Sequence, residues 1–215
     1  MDPESLPPPQ RVALGYATAA TQAAWTALIG FDLRLAATVA TASEPMLAQI
    51  RLAWCRETLE FPREMRPAGD ALLDALGQHL SGAEPLLIGL AEAWELLLEP
   101  PPMARRSLDR YLDLRAAAYA GLGARFGLDP TPSTAAAKWW VLGDTLAHLS
   151  NPEERALALS LADELPEKHL PLARPMRPLA ILGALGKRAV KAGGTGLLSD
   201  RPGALLALRV GIFGR

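Results

Sequence analysis

A single cysteine, Cys55, occurs among 215 residues. One thiol closes no internal disulfide, so the fold must be held by packing, a usage that suits a reducing cytoplasm. No Cys-x-x-Cys or Cys/His zinc pattern is present. The three histidines, His79, His148 and His169, are too scattered to suggest a metal site by spacing. Aromatic residues make up only 6% of the chain. Strand alternation is missing, and no fixed-period repeat occurs. No apolar run reaches the roughly eighteen residues that read as a membrane span. The first residues, Met1-Asp2-Pro3-Glu4-Ser5, carry neither a basic nor an apolar signal region, so no secretory signal is expected.

What is present is helix former. Half of the residues are hydrophobic, and alanine and leucine dominate. The expectation is an all-α single domain over residues 1–215, a bundle of about eight or nine helices. Leu6-Pro7-Pro8-Pro9 reads as an extended leader, residues 1–9. Residues 11–41 read as one long or broken helix with Gly30 as a bend, and Ser43 caps the next, which stops before Phe61-Pro62. Helices follow over 68–80, 85–99, 103–126, 134–149, 152–164, 178–192 and 202–213, divided by proline and glycine signals.

Charge is unevenly spread. Residues 1–168 hold 14 Lys/Arg and 22 Asp/Glu, a balance of −8, whereas residues 169–215 hold 8 Lys/Arg and one acid, a balance of +7. The basic segment 193–215 also carries Leu205, Leu208 and Ile212 at i, i+3 and i+7, widened by Leu206, Val210 and Phe213. That pattern fits an anionic membrane surface met through residues 201–215. It fits equally a final core helix, or a basic solvated tail. No nucleic-acid-binding motif accompanies the charge, so nucleic acid is not expected as a partner.

The stretch Ala48-Gln49-Ile50-Arg51-Leu52-Ala53-Trp54-Cys55-Arg56-Glu57 resembles the Leu-Arg-Leu-Ala-Trp-Trp-Arg signature of the squalene/phytoene synthase family. Tyr111 to Ala117 is similar to a family Tyr-x-x-x-x-Ala-Gly stretch, and Leu170 to Leu179 to a family proline-and-arginine segment. The resemblance implies an isoprenoid-synthase-like helical bundle. It puts Phe31, Gln49, Arg51, Trp54, Arg56, Glu57 and Tyr111 at family-motif positions, structural or cavity-lining. Active members ionise an allylic diphosphate with Mg²⁺ held by two facing aspartate clusters, because a hard cation must neutralise the leaving group. The first cluster follows a pattern like Phe-Cys-Arg-x-x-Asp-Asp-x-Val-Asp. Here Phe31 and Val39 match, while Ala36, Ala37 and Ala40 stand at the aspartate positions. In the region matching the second cluster, Ala137 to His148, only Asp144 is acidic. No catalytic residue, metal ligand or cofactor is therefore expected, with Mg²⁺ required only if the chain is an enzyme after all.

Each residue also has a plainer reading. Arg51 and Glu57 read as partners in helix-surface or interhelix ion pairs, and Cys55 as a small buried hydrophobe. Trp54 shares an apolar stripe with Ile50 and Leu47 and is expected in the core. Asp109/Asp113 and Asp70/Asp74 have i,i+4 spacing and read as solvated helix faces, and Asp144/His148 as a surface pair. Trp139-Trp140 reads as a core pair or a lipid-tunnel wall.

Three functions remain open at this level. The resemblance implies a non-catalytic binding or assembly factor, for instance for a respiratory membrane complex, since divergent mitochondrial relatives are implicated in assembling complex I. The alternatives are a Mg²⁺-dependent head-to-head prenyltransferase and an isoprenoid- or lipid-binding protein. The partner is an unidentified protein or an isoprenoid-like lipid. The expected location is cytoplasmic, or peripheral on the inner membrane.

Overall fold

The computed structural model describes residues 3–42, 44–167 and 171–214. Among these, regular structure is ten α-helices and four short 3₁₀ turns, with no strand. The helices are α1 (Pro8–Leu14), α2 (Gln22–Thr41), α3 (Pro45–Glu60), α4 (Ala71–His79), α5 (Glu84–Leu96), α6 (Arg105–Arg125), α7 (Thr131–His148), α8 (Pro152–Leu161), α9 (Arg177–Lys191) and α10 (Arg201–Phe213).

The all-α expectation holds, with one helix more. The extra one comes from a break at Gly15–Thr21, which divides the expected 11–41 helix into α1 and α2. There the Thr18 and Thr21 hydroxyls bond each other at 2.9 Å, and that of Thr21 also reaches the Thr18 carbonyl. Such local bonds compete with the helix ladder. Gly30 makes no bend: it is buried inside a continuous α2. Nor is the proline-rich start an extended leader. Pro3–Ser5 forms a 3₁₀ turn, Leu6 is buried in the core, and Pro8 opens α1. Proline is tolerated in a first turn because its missing N–H would be unpaired there anyway. Ser43, the expected cap of α3, lies outside the described residues, as does His169, and Glu44 holds the cap position.

Side-chain caps fix three other starts. Asp70 accepts from Leu72 and Leu73 at α4, Asn151 from Glu153 and Glu154 at α8, and Asp200 from Gly203 at α10. Asp70 also takes Arg34 of α2 bidentately, at 2.6 and 2.9 Å. That fork ties α4 to α2.

α7 is the central helix, buried from Trp139 to Leu146, with α6 and α9 packed against it. Its crossing with α9 is unusually close. A methyl group at Gly143 would come 2.5 Å from the Gly186 Cα, and one at Gly183 would come 2.6 Å from the Ala136 carbonyl oxygen. α5 joins α6 to α3, α2 packs on α4, and α10 closes the bundle over α9. By length and composition α2 could cross a membrane. Half of it is buried inside the bundle, however, and it carries Asp32 and Arg34.

Candidate functional site

Three helices meet at a buried ion cluster. α2 turns Trp25, Leu28, Phe31 and Leu35 inward, and Asp32 lies on this face, only 1% exposed. α6 places Tyr111, Arg115 and Tyr119 at successive i+4 steps, so the three share one face. α7 contributes Asp144. Arg115 and Asp144 are 2% and 7% exposed.

Arg115 is the hub. Its Nη2 lies 2.7 Å from Asp32 Oδ2 and 2.7 Å from Asp144 Oδ2, so one guanidinium joins carboxylates from two helices. Its Nε donates to both Asp32 oxygens at 3.0 and 3.1 Å, and its Nη1 donates to the Tyr111 hydroxyl at 2.9 Å. Asp32 accepts in addition from Trp94 Nε1 on α5 and from the Tyr119 hydroxyl, each at 2.8 Å. The Trp94 ring stands edge-on to Tyr111, and Tyr119 edge-on to Trp140. A buried carboxylate is tolerated only when its lone pairs are satisfied in this way.

The environment sets the protonation states. Burial alone would lower the Arg115 pKa. The Asp32 carboxylate, Tyr111 and Asp144 outweigh it and hold the guanidinium well above its ordinary value. Burial, then the Asp32 charge, pushes the Tyr119 hydroxyl well up, and burial also raises Tyr111. The hub therefore stays cationic and both phenols stay neutral. An arginine that cannot lose its proton is a fixed counter-ion rather than an acid or base. This arrangement clamps helices and neutralises charge.

The residues at positions that resemble the family motif are scattered by comparison. Tyr111 is in the cluster, and Phe31 is buried beside Asp32 in the chain. Arg56 meets Glu95 of α5 at 3.6 Å, where Arg56 Nε and Glu95 Oε1 are buried without a hydrogen-bond partner. Burial raises the Glu95 pKa against the pull of Arg56. Gln49, Arg51 and Glu57 are exposed, and among the described residues neither Arg51 nor Glu57 enters the ion pair expected of it. Trp54 is not a core residue: it is 45% exposed, beside the exposed Leu47 and Ile50. The buried face of α3 is Ala48, Leu52, Cys55 and Leu59, so the Trp54 stripe points the other way. Cys55 is buried as expected, and burial pushes its thiol up. Ala36 is half-buried, and Ala37 and Ala40 are exposed, beyond Asp32 on α2.

Asp109 and Asp113 are surface residues, paired with Arg105 and Lys138. The expected Asp70/Asp74 face is split: Asp74 is exposed, whereas Asp70 caps α4 and holds Arg34. Asp144 and His148 do not form a surface pair. The Asp144 carboxylate turns inward to Arg115, and His148 Nδ1 meets the Asp144 backbone oxygen at 2.8 Å. Trp139 and Trp140 are both core. Sequence reasoning passed over Asp32 and Arg115. Their signal was a lone charge on each inward face, in Ile29-Gly30-Phe31-Asp32 and within the Tyr111/Arg115/Tyr119 i+4 series.

The basic C-terminal helix has two faces. Gly203, Ala207, Val210 and Gly211 are buried toward the bundle. Leu205, Leu208, Ile212 and Phe213 are exposed, with Arg201 and Arg209 among them. The core-helix and open-stripe expectations thus each describe one side of α10, although Leu206 and Val210 turn inward rather than widening the outer stripe. No family model, curated protein or solved structure matches this chain.

Proposed function

We propose that this chain is a squalene/phytoene synthase-like protein that does no prenyl transfer and acts as a binding or assembly factor on an anionic membrane surface. The observation that carries the reading is the Arg115 guanidinium lying between Asp32 and Asp144. In the resembled family, facing carboxylates gather metal ions around a diphosphate. Here Asp144, the one acid in the region that resembles the second cluster, is paired with the Arg115 guanidinium at 2.7 Å, and Asp32, one turn before the alanines that stand at the first cluster's positions, pairs with the same cation at 2.7 Å. The alanines at 36, 37 and 40 support the same reading, since alanine offers no ligand.

Two exposed apolar faces support a binding role. Met46, Leu47, Ile50 and Trp54 make a ridge along α3 suited to a protein partner, and a respiratory membrane complex is the class of partner that the resemblance suggests. Leu205, Leu208, Ile212 and Phe213 make the second, on α10, within the segment of charge +7. A helix with an apolar outer stripe among arginines lies well in the interface of an anionic bilayer.

The test has two arms. Purified protein with Mg²⁺ and farnesyl or geranylgeranyl diphosphate should release no pyrophosphate above a boiled control; release would overturn the non-catalytic reading. Co-sedimentation with vesicles containing phosphatidylglycerol should be salt-sensitive and lost in Leu205→Glu/Ile212→Glu. Equal sedimentation of that variant, or none by the native chain, would overturn the membrane reading.

A further inference from the structure

A cavity lies away from the buried cluster. It is an open cleft of about 400 Å³ between α7, α9 and α10, within the size range of small-molecule sites. Ala136, Ala180, Ala184, Leu206 and Val210 form an apolar floor. Four cations line the same cleft: Lys187, Arg188, Lys191 and Arg209. The alanines leave the room, and the helices bring the cations to it: Ala180, Ala184, Lys187, Arg188 and Lys191 recur at three- and four-residue steps on one side of α9.

Charge at the mouth is not balanced. Among the described residues Lys191 meets Glu167 and Arg188 meets Asp200, two carboxylates for four cations. Lys187 bonds the Glu167 carbonyl and lies 5.3 Å from the centre of the Trp139 ring. Arg209 has no carboxylate partner among the described residues and is exposed. On the α10 wheel Arg209 falls between the outer stripe of Leu205, Leu208 and Ile212 and the cleft-lining Leu206 and Val210. An apolar trough rimmed by surplus positive charge is complementary to one chemistry, an acidic head group carrying a hydrocarbon chain.

We propose that this cleft binds one anionic phospholipid, its phosphate between Arg209, Lys191, Arg188 and Lys187 and one acyl chain along Ala180, Ala184 and Leu206. The lipid comes from the bilayer on which α10 rests, so the proposal deepens the membrane reading above. No bond forms or breaks in the process. Guanidinium and ammonium groups donate to the phosphate oxygens, and the chain leaves water for the alanine floor.

Monomeric dihexanoyl phosphatidic acid, kept below its micelle concentration, separates the pocket from the membrane surface. Calorimetry on the full chain should show one site per protein, with dihexanoyl phosphatidylcholine binding far more weakly. Arg209→Glu, on the exposed side of α10, should weaken phosphatidic acid by roughly tenfold or more, since a lost cation is compounded by an added anion. Ala184→Leu, which fills the floor, should weaken it comparably while vesicle sedimentation persists. Equal affinity for the two lipids, or unchanged affinity in both variants, would overturn the pocket. Vesicle binding without monomer binding rejects the pocket and leaves the membrane reading intact; monomer binding without vesicle binding does the reverse.

Discussion

The Arg115 guanidinium carbon lies 4.9 Å from the centre of the Trp94 ring, and the same indole donates its N–H to the carboxylate that Arg115 grips. Trp94 thus supports both members of the buried pair. Its π face meets the cation and its polar edge meets the anion, so α5 is locked to α2 and α6 at one point.

Removing the cation from this cluster should be costly. Arg115→Met leaves Asp32 and Asp144 buried without their shared counter-ion, and should lose about 3–5 kcal/mol of stability. Adding Asp32→Asn and Asp144→Asn should recover part of the loss, because the stranded charges are then gone. Urea melts of the single and triple variants check this; a triple variant less stable than Arg115→Met would contradict it.

The two phenols predict an alkaline weakness. In the unfolded chain Tyr111 and Tyr119 ionise near 10.0, whereas burial raises both in the fold and the Asp32 charge raises Tyr119 further. Above that pH the unfolded state holds fewer protons than the folded one, so stability must fall as pH rises; below it the contribution is complete. Tyr119→Phe should make the decline between about pH 9 and pH 11 shallower. Denaturant melts across that range measure the slope.

Trp54 and Trp140 should respond oppositely to truncation. Trp140 is fully buried, and Trp140→Ala should cost about 3–5 kcal/mol. Trp54→Ala, on the exposed side of α3, should cost under about 1 kcal/mol. A large loss at Trp54 would place it in contact with structure that the fold does not show.

The α7–α9 crossing should reject a single methyl group. Gly143→Ala must push against the Gly186 backbone, which cannot swing aside as a side chain can. The expected loss is about 1–3 kcal/mol, as for other overpacked sites. Gly69→Ala is a useful contrast: nothing lies within 4 Å of the added carbon, and any penalty comes only from its positive φ of 87°.

Asp70 ties acid sensitivity to the α2–α4 contact. The Arg34 hydrogen bonds, against some burial and with help from the α4 backbone N–H groups, hold its carboxyl below the ordinary 3.8. Its contribution is present above that value and is lost as pH falls through the lowered one. Asp70→Ala should cost about 0.5–2 kcal/mol at neutral pH, the usual worth of a helix cap. The same variant should show a smaller stability loss than the native chain on acidification below pH 4, measured by thermal melts.

The helical character was legible because it is local. Alanine and leucine content and the proline and glycine stops act within a turn or two of where they stand, whereas the capping role of Asp70 at α4 was missed because its i,i+4 spacing to Asp74 reads equally as a solvated face. The failures have the same physical origin. α3 carries two apolar stripes, one through Ala48, Leu52, Cys55 and Leu59 and one through Leu47, Ile50 and Trp54. Periodicity finds both; only the position of α5 and α2 decides which is covered.

The sequence by itself determined that the chain is all-helical, roughly where most helices begin and end, that its charge is polarised toward the C-terminus, and that α10 carries apolar residues among basic ones. Tertiary structure alone decided that Asp32, Arg115 and Asp144 share one buried site, because those residues are 83 positions apart in the first pair and meet only when α2, α6 and α7 converge. It also decided that Trp54 faces outward and that four cations ring an alanine-floored cleft. Contacts across so many residues are set by how helices pack, and no short stretch of chain carries that information.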